Sequence, residues 1–403
     1  MPAALPLSLY IHIPWCIRKC PYCDFNSHEA KDALPQMLYV NALLQELDQH
    51  LPTLKDRPLV SLFFGGGTPS LFSGESIQQI LTGVRQRFSL SPQFEITLEA
   101  NPGTVDQASF HAFHQAGVNR LSMGIQSLQD DKLKALGRIH HSEEALRAIA
   151  LAKGAGFTNF NLDIMYGLPN QTQEDALSDI QAALAARPTH FSWYQLTIEP
   201  NTFFHHHPPT LPDDDLLSEM QEQGQQLIHQ HGFQHYEVSA YTQPGFACQH
   251  NLNYWEFGDY LGIGAGAHSK LTDPDTGVVQ RFAQVKHPRD YLDAAKRQAF
   301  KPKTLSSPEL IFEFMLNTLR LTEGVLATLF TERTGLPFQD VKPMLAQARE
   351  RGLLTMDAHQ ICASPLGKRF LNDLVACFLN TKTDRNKHPQ SDKKCLTQTD
   401  PHY

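Results

Sequence analysis

The sequence predicts an α/β protein in which strands and helices alternate from Leu7 to about Pro200. Three observations support this fold class: short runs rich in Ile, Leu, Phe or Tyr, turn residues that bound each run, and helix-like stretches between the runs. Successive βα units have parallel strands and right-handed crossovers, which form either an open doubly wound sheet or a partial barrel. The predicted strands are Ser8–Ile13, Val60–Phe64, Phe94–Leu98, Arg120–Ile125, Asn161–Tyr166 and Phe191–Ile198.

The helices between these strands are predicted from apolar residues that recur every three or four positions. In Gln36–Leu51, this spacing places Met37, Val40, Leu44 and Leu47 on one face, which can pack on the sheet. The other predicted helices of this region are Glu75–Phe88, Asp106–Ala116, Ser142–Ala155 and Gln173–Ala186.

Polar residues and glycines stand directly after consecutive predicted strands. In both candidate architectures, ligands bind at the carboxyl ends of the strands. This placement therefore predicts one ligand site, to which the residues after the strands contribute: Cys16, Gly65–Thr68, Glu99, Gln126 and Gly167.

The middle of the chain is less regular. A loop rich in Pro and His, Phe203–Asp215, precedes the predicted helix Leu216–His231. Adjacent histidines in an extended loop point in different directions, so we expect His205–His207 to be solvated rather than to bind a metal. Strand-like pieces follow at Tyr236–Tyr241 and Tyr260–Ile263.

The C-terminal region is predicted to begin after a linker at Pro302–Pro308. Three helices and a hairpin follow in the order typical of a winged-helix-like α+β module, which ends near Leu379. The polar tail Asn380–Tyr403 has few apolar anchors and is expected to be disordered. The three helices are Pro308–Leu321, Gly324–Thr334 and Pro337–Arg351, and the hairpin is Leu353–Ala363.

Composition and charge limit the function classes. Hydrophobic residues make up 41% and charged residues 19% of the 403 residues, which is ordinary for a soluble globular protein. The formal net charge of −8 argues against a nucleic-acid binder, which needs clustered Lys and Arg. No apolar run approaches the roughly 18 residues that span a bilayer, and Met1–Leu9 lacks the features of a signal peptide. We therefore expect a cytoplasmic protein without a transmembrane segment, and peripheral membrane contact stays open.

Three of the 7 cysteines lie close together near the N-terminus. Cys16, Cys20 and Cys23 form a C-x3-C-x2-C pattern, and thiolates are the usual ligands of iron–sulfur clusters. The pattern has no fourth thiolate, which leaves one iron of a 4Fe–4S cluster open for S-adenosylmethionine to chelate. The alternatives are chance clustering or a zinc site, although zinc usually has four ligands in paired spacing.

A glycine triplet, Gly65–Gly67, follows the second predicted strand and continues as Thr-Pro-Ser. Glycines allow the backbone to approach a ligand closely, and we expect them to leave backbone amides free for its carboxylate or amine. A plain tight turn is the alternative. The position after the strand next to the cysteine loop favours ligand binding.

These motifs together resemble the radical SAM (S-adenosylmethionine) superfamily. A wider set resembles the oxygen-independent coproporphyrinogen oxidase-like group and, within it, the HemW branch of heme chaperones, over about Leu7 to Leu379. The motifs that carry this resemblance are Tyr10–Cys16, Leu98–Pro102, Gly124–Ser127, Asp163–Pro169 and His250–Trp255.

The resemblance implies an α/β fold with a partial (β/α)6 radical SAM barrel that holds the cluster at its mouth. We accordingly predict four segments. The barrel is expected over residues 1–235, an extension with the His-Asn-x-x-Tyr-Trp motif over 236–301, the winged-helix-like module over 302–379 and the disordered tail over 380–403.

The same resemblance implies residue roles. Each residue also has a structural alternative, such as a surface acid for Glu99, a helix-end cation for Arg138 and a strand-end cap for Asp163. The implied roles are Tyr10 and Tyr22 beside the cluster and adenosyl group, Gly66, Gly67, Thr68 and Glu99 around the methionine amine, and Gln126, Arg138 and Asp163 at the carboxylate and ribose.

The motif His250–Trp255 suggests a heme site. Histidine is a common axial ligand of heme iron, and Tyr254 and Trp255 offer aromatic surface for a porphyrin face. By composition alone such a histidine is usually structural, so the resemblance is what makes His250 a heme-ligand candidate. Cys248 and His268 are weaker candidates.

Two differences from the oxidases bear on function. The oxidases carry another cysteine two residues after the third ligand, where this sequence has Phe25, and they have a longer stretch before the cluster motif. Both differences argue against a coproporphyrinogen dehydrogenase, although whether the chain is an enzyme stays open. The preferred interpretation is a heme chaperone that binds heme and delivers it to an unknown acceptor protein. The alternative is a radical enzyme that cleaves S-adenosylmethionine to act on a tetrapyrrole.

Overall fold

A twelve-stranded mixed sheet forms the centre of the computed structural model, which describes residues 5–54, 56–297 and 301–379. Its strand order is β12-β11-β10-β9-β1-β2-β3-β4-β5-β6-β8-β7. The strands are β1 (Leu7–Ile13), β2 (Leu59–Gly66), β3 (Leu90–Ala100), β4 (Arg120–Gln126), β5 (Phe160–Tyr166), β6 (His190–Gln195), β7 (Gln234–Glu237), β8 (Ala240–Thr242), β9 (Asp259–Ile263), β10 (His268–Thr272), β11 (Val279–Ala283) and β12 (Lys303–Thr304).

The six strands predicted for the first half are confirmed and pair in parallel in chain order, from β1 to β6. β9 joins β1 in parallel on its other side, and the remaining pairs are antiparallel. Two predictions need correction. Tyr236–Tyr241 is not one strand but the adjacent strands β7 and β8, and the last strand of the six ends at Gln195 rather than Ile198.

The long helices of the first half pack on the apolar face of the sheet. The helices predicted for this region are confirmed to within a residue or a few at each end. A short helix also occupies the predicted loop after β6. The helices are α1 (Gln36–Leu54), α2 (Gly74–Arg87), α3 (Gln107–Ala116), α4 (Asp130–Ala135), α5 (Ser142–Gly154), α6 (Gln173–Ala185), α7 (Phe203–His206), α8 (Asp214–Gln230), α9 (Gln249–Trp255), α10 (Pro288–Leu292), α11 (Ala294–Arg297), α12 (Ser307–Thr318), α13 (Thr328–Thr334), α14 (Lys342–Glu350), α15 (Pro365–Arg369) and α16 (Leu371–Ala376).

The parallel strands have one apolar face and one polar face. Alternate side chains such as Leu9 and Leu62 share the main hydrophobic core with Leu43 and Leu47 of α1. Side chains alternate across a strand, so the residues between them point to the opposite face. This second face, called the inner face below, is polar and buried at Ser8, Ser61, Thr97, Ser122, Asn161 and His190.

The C-terminal module differs from the prediction in its strands. The helix predicted from Gly324 begins at Thr328, because β13 (Val325–Leu326) comes first and pairs with β14 (Gln360–Ile361). The predicted hairpin is reduced to one bridge between Leu354 and Ala363. The predicted linker contains β12, which pairs with β11 at the sheet edge. The expected disordered tail, 380–403, lies outside the described residues.

The module and the strand region before it share one core. Tyr254, Phe257 and Tyr260 cluster with Phe314 and Phe330, and the rings of Phe257 and Phe314 lie 5.7 Å apart. In the described part of the chain, no helix has both the length and the apolarity needed to cross a membrane.

A buried carboxyl on α1 ties the N-terminal helix to the far end of β9. The Glu46 carboxylate accepts hydrogen bonds from the Tyr291 hydroxyl at 2.6 Å, the Gln284 amide at 2.7 Å and the Gly264 backbone N–H at 3.0 Å. Burial outweighs these bonds and raises the pKa of Glu46 to about 7. The folded protein therefore retains a proton here at pH values where the unfolded chain has lost it.

Stability should fall as pH rises from about 4.5 to about 7, because the unfolded state ionises Glu46 first. Glu46→Gln removes this titration. The free energy of unfolding of the parent should therefore drop by about 2–3 kcal/mol relative to the variant between about pH 5 and pH 7.5. Urea unfolding at both pH values measures this difference, and the exposed variant Glu323→Gln controls for the loss of one charge. Equal pH dependence of parent and Glu46→Gln would contradict the prediction.

Candidate functional site

A cavity of about 810 Å³ opens at the carboxyl ends of the parallel strands. Tyr10, Gly65 and His250 are not among its lining residues, and neither is Gly167, which packs against Leu217 of α8. All the other predicted cofactor and metal residues line it: Cys16, Cys20, Tyr22, Cys23, Gly66, Gly67, Thr68, Glu99, Gln126, Arg138 and Asp163.

The three cysteines lie in a loop that leaves the end of β1. Trp15 and Cys16 pair with His28 and Glu29 in a short parallel ladder, which closes the loop. Within it, the Cys23 backbone N–H donates to the Cys20 carbonyl at 3.1 Å. The loop is therefore a closed turn of the backbone with its thiols at the cavity.

The side chain of Asn26 hydrogen-bonds this loop to the segment after β9 and to the segment after β11. Its side-chain amide donates to the carbonyls of Ala265 at 2.9 Å and Lys286 at 2.8 Å. Its own carbonyl lies 3.0 Å from the His12 ring nitrogen Nε2. Because Gly264, next to Ala265, also donates to Glu46, α1 and the cysteine loop are held by the same segment after β9.

The thiols have polar neighbours that suit sulfur ligands. The Thr68 hydroxyl donates to Cys16 Sγ at 3.4 Å, and Arg138 Nη1 donates to Cys20 Sγ at 3.7 Å. Burial raises the pKa of the Cys16 thiol and raises that of Cys23 to about 12. A bound metal reverses this effect because it stabilises the thiolate. Without a metal, the buried thiols of Cys16 and Cys23 are therefore protonated at neutral pH.

The chemistry of the three thiols is compatible with an iron–sulfur cluster. Among the residues that the structure describes, no three His, Cys, Asp or Glu side chains converge as the ligands of one metal ion do. A 4Fe–4S cluster does not need such convergence, since each thiolate binds a different iron. The three-cysteine loop thus fits a cluster with one iron left for another ligand.

The glycine triplet approaches the cysteine loop closely, but its amides are not free. The N–H groups of Gly67 and Thr68 donate to the carbonyls of Ile13 and Trp15, and the Gly66 N–H donates to Glu99 at 3.2 Å. The prediction of amides left for a ligand is therefore wrong. Glycine is required for space: a Cβ on Gly67 would lie 2.6 Å from the Trp15 carbonyl oxygen.

Two further predicted residues have defined partners at the strand ends. Gln126 has a left-handed backbone (φ 70°), and its side-chain oxygen accepts from the Tyr194 hydroxyl at 2.8 Å. Arg138 Nη2 donates to the Gly124 carbonyl at 2.7 Å. Left-handed residues other than glycine cluster at functional sites, where the surroundings offset a strain of about 1–3 kcal/mol.

The two predicted tyrosines are in different places. Tyr22 lies at the cavity and packs with Met165 and Phe204 in a small apolar cluster. The Tyr10 hydroxyl lies 3.0 Å from His12 Nδ1, and its ring stacks on Phe63. Tyr10 is therefore beneath the glycine triplet rather than in the cavity wall.

His250 is buried on α9, away from the cavity. Its ring nitrogens lie 3.0 Å from the Ser61 hydroxyl and 3.2 Å from the Tyr254 hydroxyl, and its ring stacks on Phe63. Burial lowers the pKa of His250 to about 3, so the ring is neutral. Heme ligation by His250 stays a prediction, and it requires that one of these two hydrogen bonds break.

The structure also shows where the weaker metal and heme candidates lie. Cys248 is buried, and its thiol donates to Glu95 at 3.3 Å. His268 is exposed at the start of β10. The residues His205–His207, expected in a solvated loop, are exposed on and after α7.

Several polar residues of the inner face that were not predicted from the sequence contact the predicted site. Ser122 and Asn161 both donate to the Asp163 carboxylate, at 3.1 and 2.8 Å, and Tyr194 donates to Gln126. The available signal was the period-two alternation of polar residues in β4, β5 and β6. The sequence-based strand predictions for β4, β5 and β6 rest instead on their apolar residues.

Known proteins show similarity over most of this chain. Residues 10–183 match the family model of the radical SAM superfamily, and residues 305–370 match that of the HemN C-terminal domain. The chain is 51% identical to heme chaperone HemW of Haemophilus influenzae, over 94% of this chain and 99% of that protein. It is 50% identical to heme chaperone HemW of Escherichia coli, over 93% and 98%.

A solved structure is also similar. Coproporphyrinogen III oxidase (HemN) from Escherichia coli matches with a TM-score of 0.78 and 23% identity, over 93% of this chain and 90% of that chain. At this identity, the likeness shows the fold alone.

The fold and the three-cysteine cavity define a radical SAM protein. Within that class, the chain belongs to the HemW family. The predicted fold class and family resemblance are thereby confirmed.

Cys20→Ala should abolish cluster assembly, because two thiolates cannot hold the cube. Iron and sulfide content and the visible absorbance after anaerobic reconstitution measure the loss. The matched control is Cys377→Ala in the C-terminal module, which should retain the parent's content. Unchanged iron and sulfide in Cys20→Ala would refute the cluster assignment.

Glu99→Ala should weaken S-adenosylmethionine binding by about 1.5–3 kcal/mol, since it removes the charged partner proposed for the cofactor amine. Calorimetry on the reconstituted protein measures the affinity, with the exposed variant Glu143→Ala as control. The parent's affinity in Glu99→Ala, with the cluster intact, would assign Glu99 a structural role.

Proposed function

We propose that the chain is a heme chaperone, which binds heme and delivers it to an acceptor protein while carrying a 4Fe–4S cluster and S-adenosylmethionine. The observation that carries this proposal is full-length similarity to proteins named heme chaperones. The structure supports the cofactor part of the proposal, because the cavity brings the three cysteines together with the residues expected around S-adenosylmethionine.

The residues of the cavity have distinct tasks in this proposal. Cys16, Cys20 and Cys23 would hold the cluster, with Thr68 and Arg138 donating to two of the sulfurs. Bound together, the cluster and S-adenosylmethionine supply one-electron chemistry. The chain's own contribution is to orient the cofactor through the polar residues at the strand ends.

Around the cofactor, charge complementarity assigns the contacts. The Glu99 carboxylate suits the cationic amine of S-adenosylmethionine, and the Arg138 guanidinium suits its carboxylate. Asp163 suits the ribose, because its carboxylate can accept hydrogen bonds from the ribose hydroxyls. Each of these side chains lines the cavity.

A second candidate function is a radical SAM enzyme that acts on a tetrapyrrole. The specific observation in its favour is that the cavity retains these polar side chains at the cysteine loop. Phe25 argues against it, because this residue lines the cavity where the oxidases are expected to carry a further cysteine. We therefore place the chaperone first.

The reconstituted protein should bind heme about one to one and should not convert coproporphyrinogen III to protoporphyrinogen IX. A porphyrin needs an apolar slot and an axial donor, whereas decarboxylation also needs a radical aimed at each propionate in an enclosed site. Heme titration by absorbance and product analysis under reducing, anaerobic conditions measure both. Robust coproporphyrinogen turnover would overturn the chaperone proposal.

The same heme titration tests the ligand. If His250 is axial, His250→Ala shifts the Soret band or lowers heme affinity while the cluster spectrum is unchanged. An unchanged heme spectrum would assign His250 the role of anchoring α9 and would direct the search to Cys248 and His268.

A further inference from the structure

A continuous path of hydrogen bonds connects α9 with the cofactor cavity. Asn251, on α9, donates to the Tyr236 hydroxyl at 3.4 Å, and that hydroxyl lies 2.8 Å from His190 Nε2. On the other side of the imidazole ring, His190 Nδ1 lies 2.7 Å from the Asn161 side-chain oxygen. The Asn161 amide then donates to the Asp163 carboxylate at 2.8 Å. Of these residues, only Asp163 lines the cavity.

The direction of every bond on this path is fixed from the Asp163 end. The Asn161 amide nitrogen donates both to Asp163 and to the Ser122 hydroxyl, so its oxygen can only accept. His190 must therefore donate from Nδ1. Burial lowers the pKa of His190 well below its usual range, so the ring is neutral and its Nε2 can only accept. Tyr236 accordingly donates to His190, and all the donors point toward Asp163.

Two serines add hydrogen bonds at the Asp163 end of this path. Ser122 donates to the second oxygen of Asp163 at 3.1 Å, and Ser192 donates to the Asn161 oxygen at 3.0 Å. Both carboxylate oxygens thus accept from the inner face. A run of bonds with one direction polarises its members, and the charge at its end strengthens it. The Asp163 carboxylate is consequently held by Ser122, which also lines the cavity, and by Asn161, which does not.

We propose that His190 and Tyr236 are positioning residues of the S-adenosylmethionine site, which set the orientation of the Asp163 carboxylate from below the cavity. This inference rests on the proposed function, in which Asp163 binds the cofactor. It assigns the His-Asn-x-x-Tyr-Trp motif of α9 a role other than heme binding, because Asn251 of this motif makes the first hydrogen bond of the path. It also names residues that belong to β6 and β7 rather than to any sequence motif.

A merely structural role for these residues makes a different prediction. His190 and Asn161 are 1% and 2% exposed, so their loss would lower stability in any case. A positioning role additionally lowers the affinity for S-adenosylmethionine, and a side chain that keeps the donor to Asn161 restores this affinity. The comparison therefore needs variants that separate affinity from stability.

The test uses the full chain with its reconstituted cluster. S-adenosylmethionine is titrated by calorimetry and by the change in the electron paramagnetic resonance spectrum of the reduced cluster. His190→Leu should raise the dissociation constant about tenfold and Tyr236→Phe several-fold, since each leaves a buried polar group unpaired. His190→Asn, which keeps an amide donor near the position of Nδ1, should recover most of the affinity lost in His190→Leu. Thr334→Val, which removes a buried hydroxyl of the C-terminal module, should bind as the parent does.

Tyr236→Phe keeps the test decisive if His190→Leu fails to fold, because it removes a single hydroxyl. Parent affinity in Tyr236→Phe and His190→Leu, with weakened binding in Asp163→Ala, would overturn the inference and leave the proposed cofactor site standing. Parent affinity in Asp163→Ala would instead remove the proposed role of Asp163, and the inference with it. Equal losses in Thr334→Val and Tyr236→Phe would show a general effect of stability and would also overturn it.

Discussion

Below the cavity, polar side chains on the inner face of the parallel strands must find partners inside the protein, because they are buried. A buried polar group without a partner costs about 1–3 kcal/mol, so the inner face cannot be changed one residue at a time. Ser8 and Ser61 pair at 2.7 Å, and Ser61 also meets His250. The pairing of neighbouring strands brings these residues together: Ser8 is opposite Ser61, and Ser122 is opposite Asn161. The register of the sheet therefore determines the hydrogen bonds beneath the cavity.

The same requirement explains why α9 lies where it does. A helix of seven residues is not stable by itself, so its contacts must hold it. Glu95 of β3 accepts from the thiol of Cys248 and from the backbone N–H groups of Gln249 and His250, which suits a carboxylate at a helix N-terminus. At the other end of the helix, Asn253 donates to the Asp259 carbonyl at 2.8 Å.

Besides the shared core, Arg320 adds a polar contact between the C-terminal module and this arrangement. The Arg320 guanidinium lies over the Trp255 ring at 4.3 Å and donates to Glu237 of β7 at 3.1 Å. Arg320 also lines the cavity. The tryptophan of the α9 motif is thus covered by the module. A movement of α9 that exposed His250 to heme would disturb this contact and the bond of Asn251 to Tyr236 at the same time.

How much of this was predictable depends on whether a feature is local. The six strands and most helices follow from periodicity within each segment, and the cysteine loop and strand-end residues converge because parallel strands end at one edge. The free amides of Gly66 and Gly67 were wrongly expected, because their partners, Glu99 and Ile13, are supplied by other strands. Tyr10 precedes the cluster motif in sequence, yet alternation along β1 turns it to the inner face below the glycines.

Phe25 is the position at which the cysteine loop departs from the pattern expected of the oxidases. Its carbonyl accepts from Lys19 at 3.0 Å and from the Ser27 N–H at 2.7 Å, so its backbone belongs to the cysteine loop, and the residue lines the cavity. A ring cannot supply the thiol that the oxidases are expected to have there, and it adds an apolar surface beside the cluster. The polar residues that suit S-adenosylmethionine are untouched by this change, because they are supplied by the ends of β3, β4 and β5. Phe25 and the residues proposed to bind S-adenosylmethionine therefore come from different parts of the cavity, the cysteine loop and the strand ends.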